Sequence, residues 1–156
     1  MQGRSHVDIE LSLMTETVVQ AAPVEPVCVS PQLSLRRVLE VLRRGGQSVA
    51  LVCRDGQVAG IFTERDVLRR VVGNELNPAT VTVFDVMTTD LLTCTPETDM
   101  DEIAEIMRSR RVRHVPVVDK EGTLLGVISI GDVNAHNAVR REAELHYLSE
   151  YVYGRA

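Results

Sequence analysis

The chain carries one stretch of sequence twice. V-C-R-D-G-Q-V-A-G-I-F-T-E-R-D-V, from Val52 to Val67, is matched 66 positions later by V-D-K-E-G-T-L-L-G-V-I-S-I-G-D-V, from Val118 to Val133. Val52, Gly56, Gly60, Asp66 and Val67 recur as Val118, Gly122, Gly126, Asp132 and Val133, and most other pairs are conservative, such as Ile61 with Val127 and Thr63 with Ser129. Each copy has to fold in the same way, and a unit of about 50 residues buries too little surface to be secure alone. The repeat therefore predicts two related units packed face to face about a pseudo-two-fold axis.

The match extends upstream. Leu35, Val38, Leu39 and Leu42 form a stripe at helical spacing, and Met100, Ile103, Ala104 and Met107 repeat it 65 positions on. Each stripe predicts a helix with one buried face. The change of offset places a one-residue difference near Gly45–Gly46. A short strand precedes each helix (27–29; 91–95). A second strand follows (48–53; 113–119), then a tight turn at Asp55–Gly56 or Glu121–Gly122, a third strand (58–62; 124–128) and a second helix starting at Glu64 or Ile130. The fold class is α/β (α+β), two β-α-β-β-α repeats. The expected boundaries are an extension over 1–22, a first repeat over 23–73, a linker over 74–80, a second repeat over 81–140 and a C-terminal helix over 141–156.

Composition excludes several functions. A net charge of −5 argues against a nucleic-acid partner. No 18-residue apolar stretch spans a membrane, and Asp8 and Glu10 stand where a signal peptide needs apolar residues. A cytoplasmic protein follows, with Cys28, Cys53 and Cys94 read as reduced residues mostly in or near the core. Aromatic residues make up 3% of the chain and Trp is absent, so the core is aliphatic. No Ser-His-Asp array, phosphate-cradling P-loop, metal set or paired carboxylate site is present, which argues against an enzyme. His6, His136 and His146 are isolated and read as surface residues rather than metal ligands.

With G-I-F-T-E-R-D (Gly60 to Asp66), G-V-I-S-I-G-D (Gly126 to Asp132), the V-R-H-V-P-V-V-D run before the second and D-V-M-T (Asp85 to Thr88), the chain resembles the CBS-domain family in its tandem-pair form, over roughly residues 24 to 140. The resemblance implies a ligand-binding regulatory module that requires no cofactor. Its ligand is an adenine nucleotide (AMP, ADP or ATP), with S-adenosylmethionine and NAD as further family ligands. Carried onto this sequence, it marks Thr63 and Asp66 at one site and Ser129 and Asp132 at the other, the acid on the ribose and the hydroxyl on ribose or phosphate. It also implies a homodimer. No attached enzyme or channel is visible, so the expected protein target acts in trans.

The residues suit that chemistry. A carboxylate accepts two adjacent ribose hydroxyls through charge-assisted bonds, and phosphates must then point away, toward helix N-termini or cations. Arg65, Arg113 and His114 are the side-chain candidates, with Ile61, Val127 and Pro116 completing the two sites. The same Thr63-x-x-Asp66 and Ser129-x-x-Asp132 spacing is also a capping box at a helix start, and the two roles are compatible. The sites differ: Glu64 and Arg65 separate the pair in the first, Ile130 and Gly131 in the second, and Gln47, Ser48 and Ala50 stand where the second repeat has Arg113, His114 and Pro116. Unequal affinities are expected. The alternative to a sensor is a structural dimerisation module whose sites stay empty.

The first repeat lacks D-V-M-T and has Ala22-Pro23-Val24-Glu25-Pro26 instead. Before it, Val7, Ile9, Leu11 and Leu13 alternate with polar residues, as in an edge strand or a dimer arm. Residues 140–153 read as a helix with Leu145, Leu148 and Val152 near one face, docked on its own domain or forming a homodimer contact.

Overall fold

The computed structural model describes residues 16–21 and 23–154. The alternating segment Val7–Leu13 and His6 lie outside the described residues. The elements are β1 (Cys28–Val29), α1 (Leu35–Gly45), β2 (Val49–Arg54), β3 (Gln57–Thr63), a helical turn α2 (Glu64–Asp66) running into a π-helical turn (Val67–Val72), α3 (Val83–Val86), α4 (Met100–Arg110), β4 (His114–Val118), β5 (Leu124–Ser129) and α5 (Ile130–Tyr153). Both helix–strand–strand–helix runs stand where the repeat placed them. Residues 91–95, expected as a strand, are not one. The amide of Leu91 bonds to Thr89 O (3.0 Å) and that of Thr95 to Thr98 Oγ1 (3.0 Å), so these donors are used locally instead of by a neighbouring strand.

The chain divides into two compact units. One comprises Val24–Thr93 and Pro116–Val127. Its sheet has the order β1-β2-β3, with β1 parallel and β3 antiparallel to β2. Val49 to Val52 are all buried, as the middle strand of a covered sheet requires. α1 lays Leu35, Val38 and Leu42 against it, joined by Phe62, Val83, Val86 and Met87. Each fully buried side chain of this size contributes about 1.5–3 kcal/mol. The β2–β3 turn has positive φ at both Asp55 (53°) and Gly56 (78°), the conformation a two-residue hairpin favours. The tip of the second repeat's hairpin joins this unit: Leu124 N–H donates to Gly56 O (3.1 Å) and Gln57 Nε2 to Glu121 O (2.9 Å).

The other unit comprises the described part of Met1–Pro23, with Cys94–Val115 and Ile128–Ala156. α4 buries Met100, Ile103 and Met107. The segment around Val18 docks beside it: Val18 N–H donates to Thr98 O, Val19 N–H to Pro96 O and Met100 N–H to Glu16 O, each at 2.9 Å. The helix expected over 140–153 is the end of one continuous 24-residue helix that starts at Ile130. Its last buried residue is His136, while Leu145, Leu148, Tyr151 and Val152 are exposed.

The difference in repeat length lies just past the first helix of each copy. Gly46 caps α1 in the left-handed conformation (φ 62°), and Arg111 takes the same role after α4 (φ 53°). Two residues lead from Gly46 to β2's first buried valine, Val49, and three from Arg111 to its counterpart Val115. The insertion therefore falls in the stretch holding Arg113 and His114.

A further expectation, that His136 lies on the surface, is corrected. His136 is buried (6% exposed), its Nδ1 2.7 Å from Glu16 Oε2 and its Nε2 3.8 Å from Asp101 Oδ1. It stands one turn from buried Val133, and its main partner is 120 residues away in sequence, so no local pattern signals it. Cys28 is exposed, Cys53 half-buried and Cys94 buried.

Candidate functional site

Each repeat ends its hairpin on a hydroxyl residue that starts a helix, with the repeated acid in the first turn. At Thr63 the backbone is extended (φ −131°, ψ 169°) before it turns into α2. Thr63 N–H donates to Asp66 Oδ2 at 2.9 Å. The Thr88 hydroxyl donates to the other oxygen, Oδ1, at 3.1 Å, and Arg70 Nε lies 3.8 Å from it. Both carboxylate oxygens are thus engaged, and Asp66 is 8% exposed. Arg70 is itself held, its Nη1 donating to Val86 O at 3.1 Å and to Met87 O.

At the second repeat Ser129 and Asp132 form a complete capping box. Ser129 N–H donates to Asp132 Oδ2 (2.7 Å), the Ser129 hydroxyl donates to the same oxygen (2.9 Å), and Asp132 N–H returns to Ser129 Oγ (3.4 Å). Among the described residues no hydrogen bond reaches Oδ1 of Asp132, and the residue is only half-buried. Ile130 N–H donates to Arg113 O at 2.8 Å, which ties the start of α5 to the residue just before β4. Burial, then the Arg113 charge, push the His114 pKa below its ordinary 6.5, with Asp132 pulling the other way. The lowered pKa favours the neutral ring at pH 7.

Of the sequence-selected residues, Arg113, His114, Ser129 and Asp132 are brought to the N-terminal end of α5. Pro116 is buried within β4, and Val127 is buried within β5. In the first repeat Ile61 is half-buried on β3, and Arg65 is exposed on α2. Ile61 spends its backbone on Thr88, through reciprocal bonds of 2.9 and 2.8 Å. Thr88 and Arg70, which the sequence did not single out, are the side chains that meet Oδ1 of Asp66. Thr88 closes the D-V-M-T motif, and its hydroxyl meets an acid 22 residues away, so no local spacing signals the contact. Arg70 had a helical spacing signal, four residues after Asp66.

Among the described residues no cluster of three or more His, Cys, Asp or Glu could hold a metal ion, and no helix is long and apolar enough to cross a membrane. What the second site offers is one open carboxylate oxygen, a neutral imidazole, a guanidinium and the positive end of a long helix dipole. That set suits a polar, anionic ligand carrying hydroxyl donors.

The family model described as CBS domain matches residues 11–73 and again 83–136. A mitochondrial CBS domain-containing protein of Arabidopsis thaliana is 37% identical over 99 residues, covering 62% of this chain and 48% of its own length. This chain spans about half the length of the curated relatives it matches first. Among solved structures, a CBS-domain containing protein from Agrobacterium tumefaciens aligns with a TM-score of 0.71 and 33% identity, over 78% of this chain and 99% of that one. A CBS domain protein from Pyrobaculum aerophilum, complexed with AMP, aligns with a TM-score of 0.69 and 26% identity, over 75% of this chain and 89% of that one. With both repeats matched, the chain belongs to the CBS-domain family and carries two copies of the domain in tandem.

Proposed function

We propose that this chain is a non-catalytic sensor that binds an adenosine-type nucleotide at the second repeat and reports its presence to a protein target in trans. The observation that carries the reading is Oδ1 of Asp132, which accepts no hydrogen bond among the described residues, at the start of α5 where the charges of Arg113 and Asp132 both act on His114. Oδ1 takes a ribose hydroxyl. His114 borders the base or sugar, and Arg113 with the helix N-terminus draws the phosphates. AMP, ADP and ATP fit this division of roles, and the AMP complex of the Pyrobaculum relative supports it. S-adenosylmethionine and NAD share the ribose and belong in the same screen.

Thermal unfolding with each of the five ligands tests the reading. Ligand at about 100 times its dissociation constant adds roughly 2.7 kcal/mol. The shift is expected to vanish in Asp132→Ala. A shift that survives Asp132→Ala, or no shift with any of the five, refutes the assignment.

A second reading, a dimerisation module with empty sites, draws on the exposed apolar residues of α5 beyond His136. It predicts a dimer and no nucleotide response. The homodimer is common to both readings.

A further inference from the structure

We infer that Thr88 and Arg70 form a latch that closes the first repeat's carboxylate, so that the chain takes one nucleotide, at Asp132, and not two. The stoichiometry rests on the reading above. The latch itself stands on contacts within a single compact unit.

Asp66 and Asp132 occupy equivalent positions, and each gives Oδ2 to its own helix start. They differ in Oδ1. For Asp66 it accepts the Thr88 hydroxyl at 3.1 Å, with Arg70 Nε at 3.8 Å. A ribose hydroxyl would have to displace a hydroxyl that is already held in place. Thr88 is fixed by its two backbone bonds to Ile61, and Arg70 by the carbonyls of Val86 and Met87. Gly60 makes the approach feasible: a Cβ there would meet the Met87 side chain and lie 3.1 Å from Thr88 O. The chain thus supplies internally the donors a nucleoside would bring, at no translational cost.

The second repeat has substituted both latch residues. Its counterpart of Ile61, Val127, pairs with Val24, a side chain with no hydroxyl to donate. The counterpart of Arg70 is His136, whose nitrogens face Glu16 and Asp101. The replacement of D-V-M-T by Ala22-Pro23-Val24-Glu25-Pro26 is therefore the sequence mark of the asymmetry.

Calorimetric titration of the full chain with AMP tests this. The wild type is expected to take one AMP, Asp66→Ala to keep it with affinity within about twofold, and Asp132→Ala to lose it. Thr88→Ala, which removes hydroxyl and methyl together, is expected to add a second site, retained when combined with Asp132→Ala. Two sites in the wild type, loss of binding in Asp66→Ala, or one site in Thr88→Ala overturns the latch. If no variant binds AMP, the functional reading fails, and the latch is judged by denaturant unfolding alone. A hydroxyl donating to a carboxylate corresponds to roughly tenfold in the unfolding equilibrium, so Thr88→Ala should cost about that in the wild type and less than about twofold in Asp66→Ala. Equal costs in both backgrounds overturn it.

Discussion

Gly60→Ala should destabilise the protein through the segment that follows α3. Gly60 is buried on β3 opposite Val52. An added Cβ would run into the Met87 side chain, at 2.9 Å from Cγ and closer still to Sδ, and would stand 3.1 Å from Thr88 O. Met87 is 5% exposed, so it has little room to retreat. Overpacking of this kind costs about 1–3 kcal/mol. If residues 86–88 lift instead, the two Ile61–Thr88 bonds are lost at roughly 0.5–1.5 kcal/mol each. Against this, the unfolded-state gain of Gly→Ala is only about 0.4–1 kcal/mol. The net loss is up to about 2.6 kcal/mol, which lowers Tm by up to roughly 10 °C for a chain of this size. Urea unfolding of Gly60→Ala, Met87→Ala and the double variant separates the causes. Met87→Ala alone should cost about 2–5 kcal/mol, but in its background the second substitution should cost at least about 1 kcal/mol less than in the wild type, because the side chain it strikes is gone. An equal cost in both backgrounds, or a Thr88 amide as protected from hydrogen exchange in Gly60→Ala as in the wild type, refutes the reasoning.

Other outcomes follow from the same structure. His114 has a folded pKa below its unfolded 6.5, so the unfolded state binds the proton first and stability falls as pH drops through 6.5 toward the folded value. His114→Gln should flatten that part of a pH–stability curve, measured by urea midpoint, and an unchanged slope would exclude the residue as its source. Burial raises Cys53 to about 12 and Cys94 to about 11, so iodoacetamide at pH 8 should label exposed Cys28 first and the other two only on unfolding, read by mass spectrometry. Ending the chain after Arg140 should change monomer stability by less than about 1 kcal/mol, since among the described residues none beyond His136 is buried. If those residues hold the dimer, sedimentation will report a fall to half the mass, and an unaltered mass places the dimer contact elsewhere.

The repeat made most of the architecture legible. Apolar stripes at helical spacing marked α1 and α4, and Asp55–Gly56 marked the hairpin, because these signals are local and each copy supports the other. The two capping acids were legible for the same reason, since Thr63 to Asp66 and Ser129 to Asp132 span one helical turn. Residues 91–95 misled because apolar content resembles a strand even where the backbone bonds to itself. His136 misled because the carboxylate it meets is contributed from position 16.

The sequence alone determined that two equivalent acids, each behind a hydroxyl residue, begin two equivalent helices. Only the tertiary structure decided that they are not equally available. Oδ1 of Asp66 is taken by Thr88, 22 residues on, while Oδ1 of Asp132 meets no hydrogen-bond donor among the described residues. The physical reason is range: a cap is written within four consecutive residues, whereas the occupancy of a carboxylate's second oxygen depends on which distant segment the fold lays beside it.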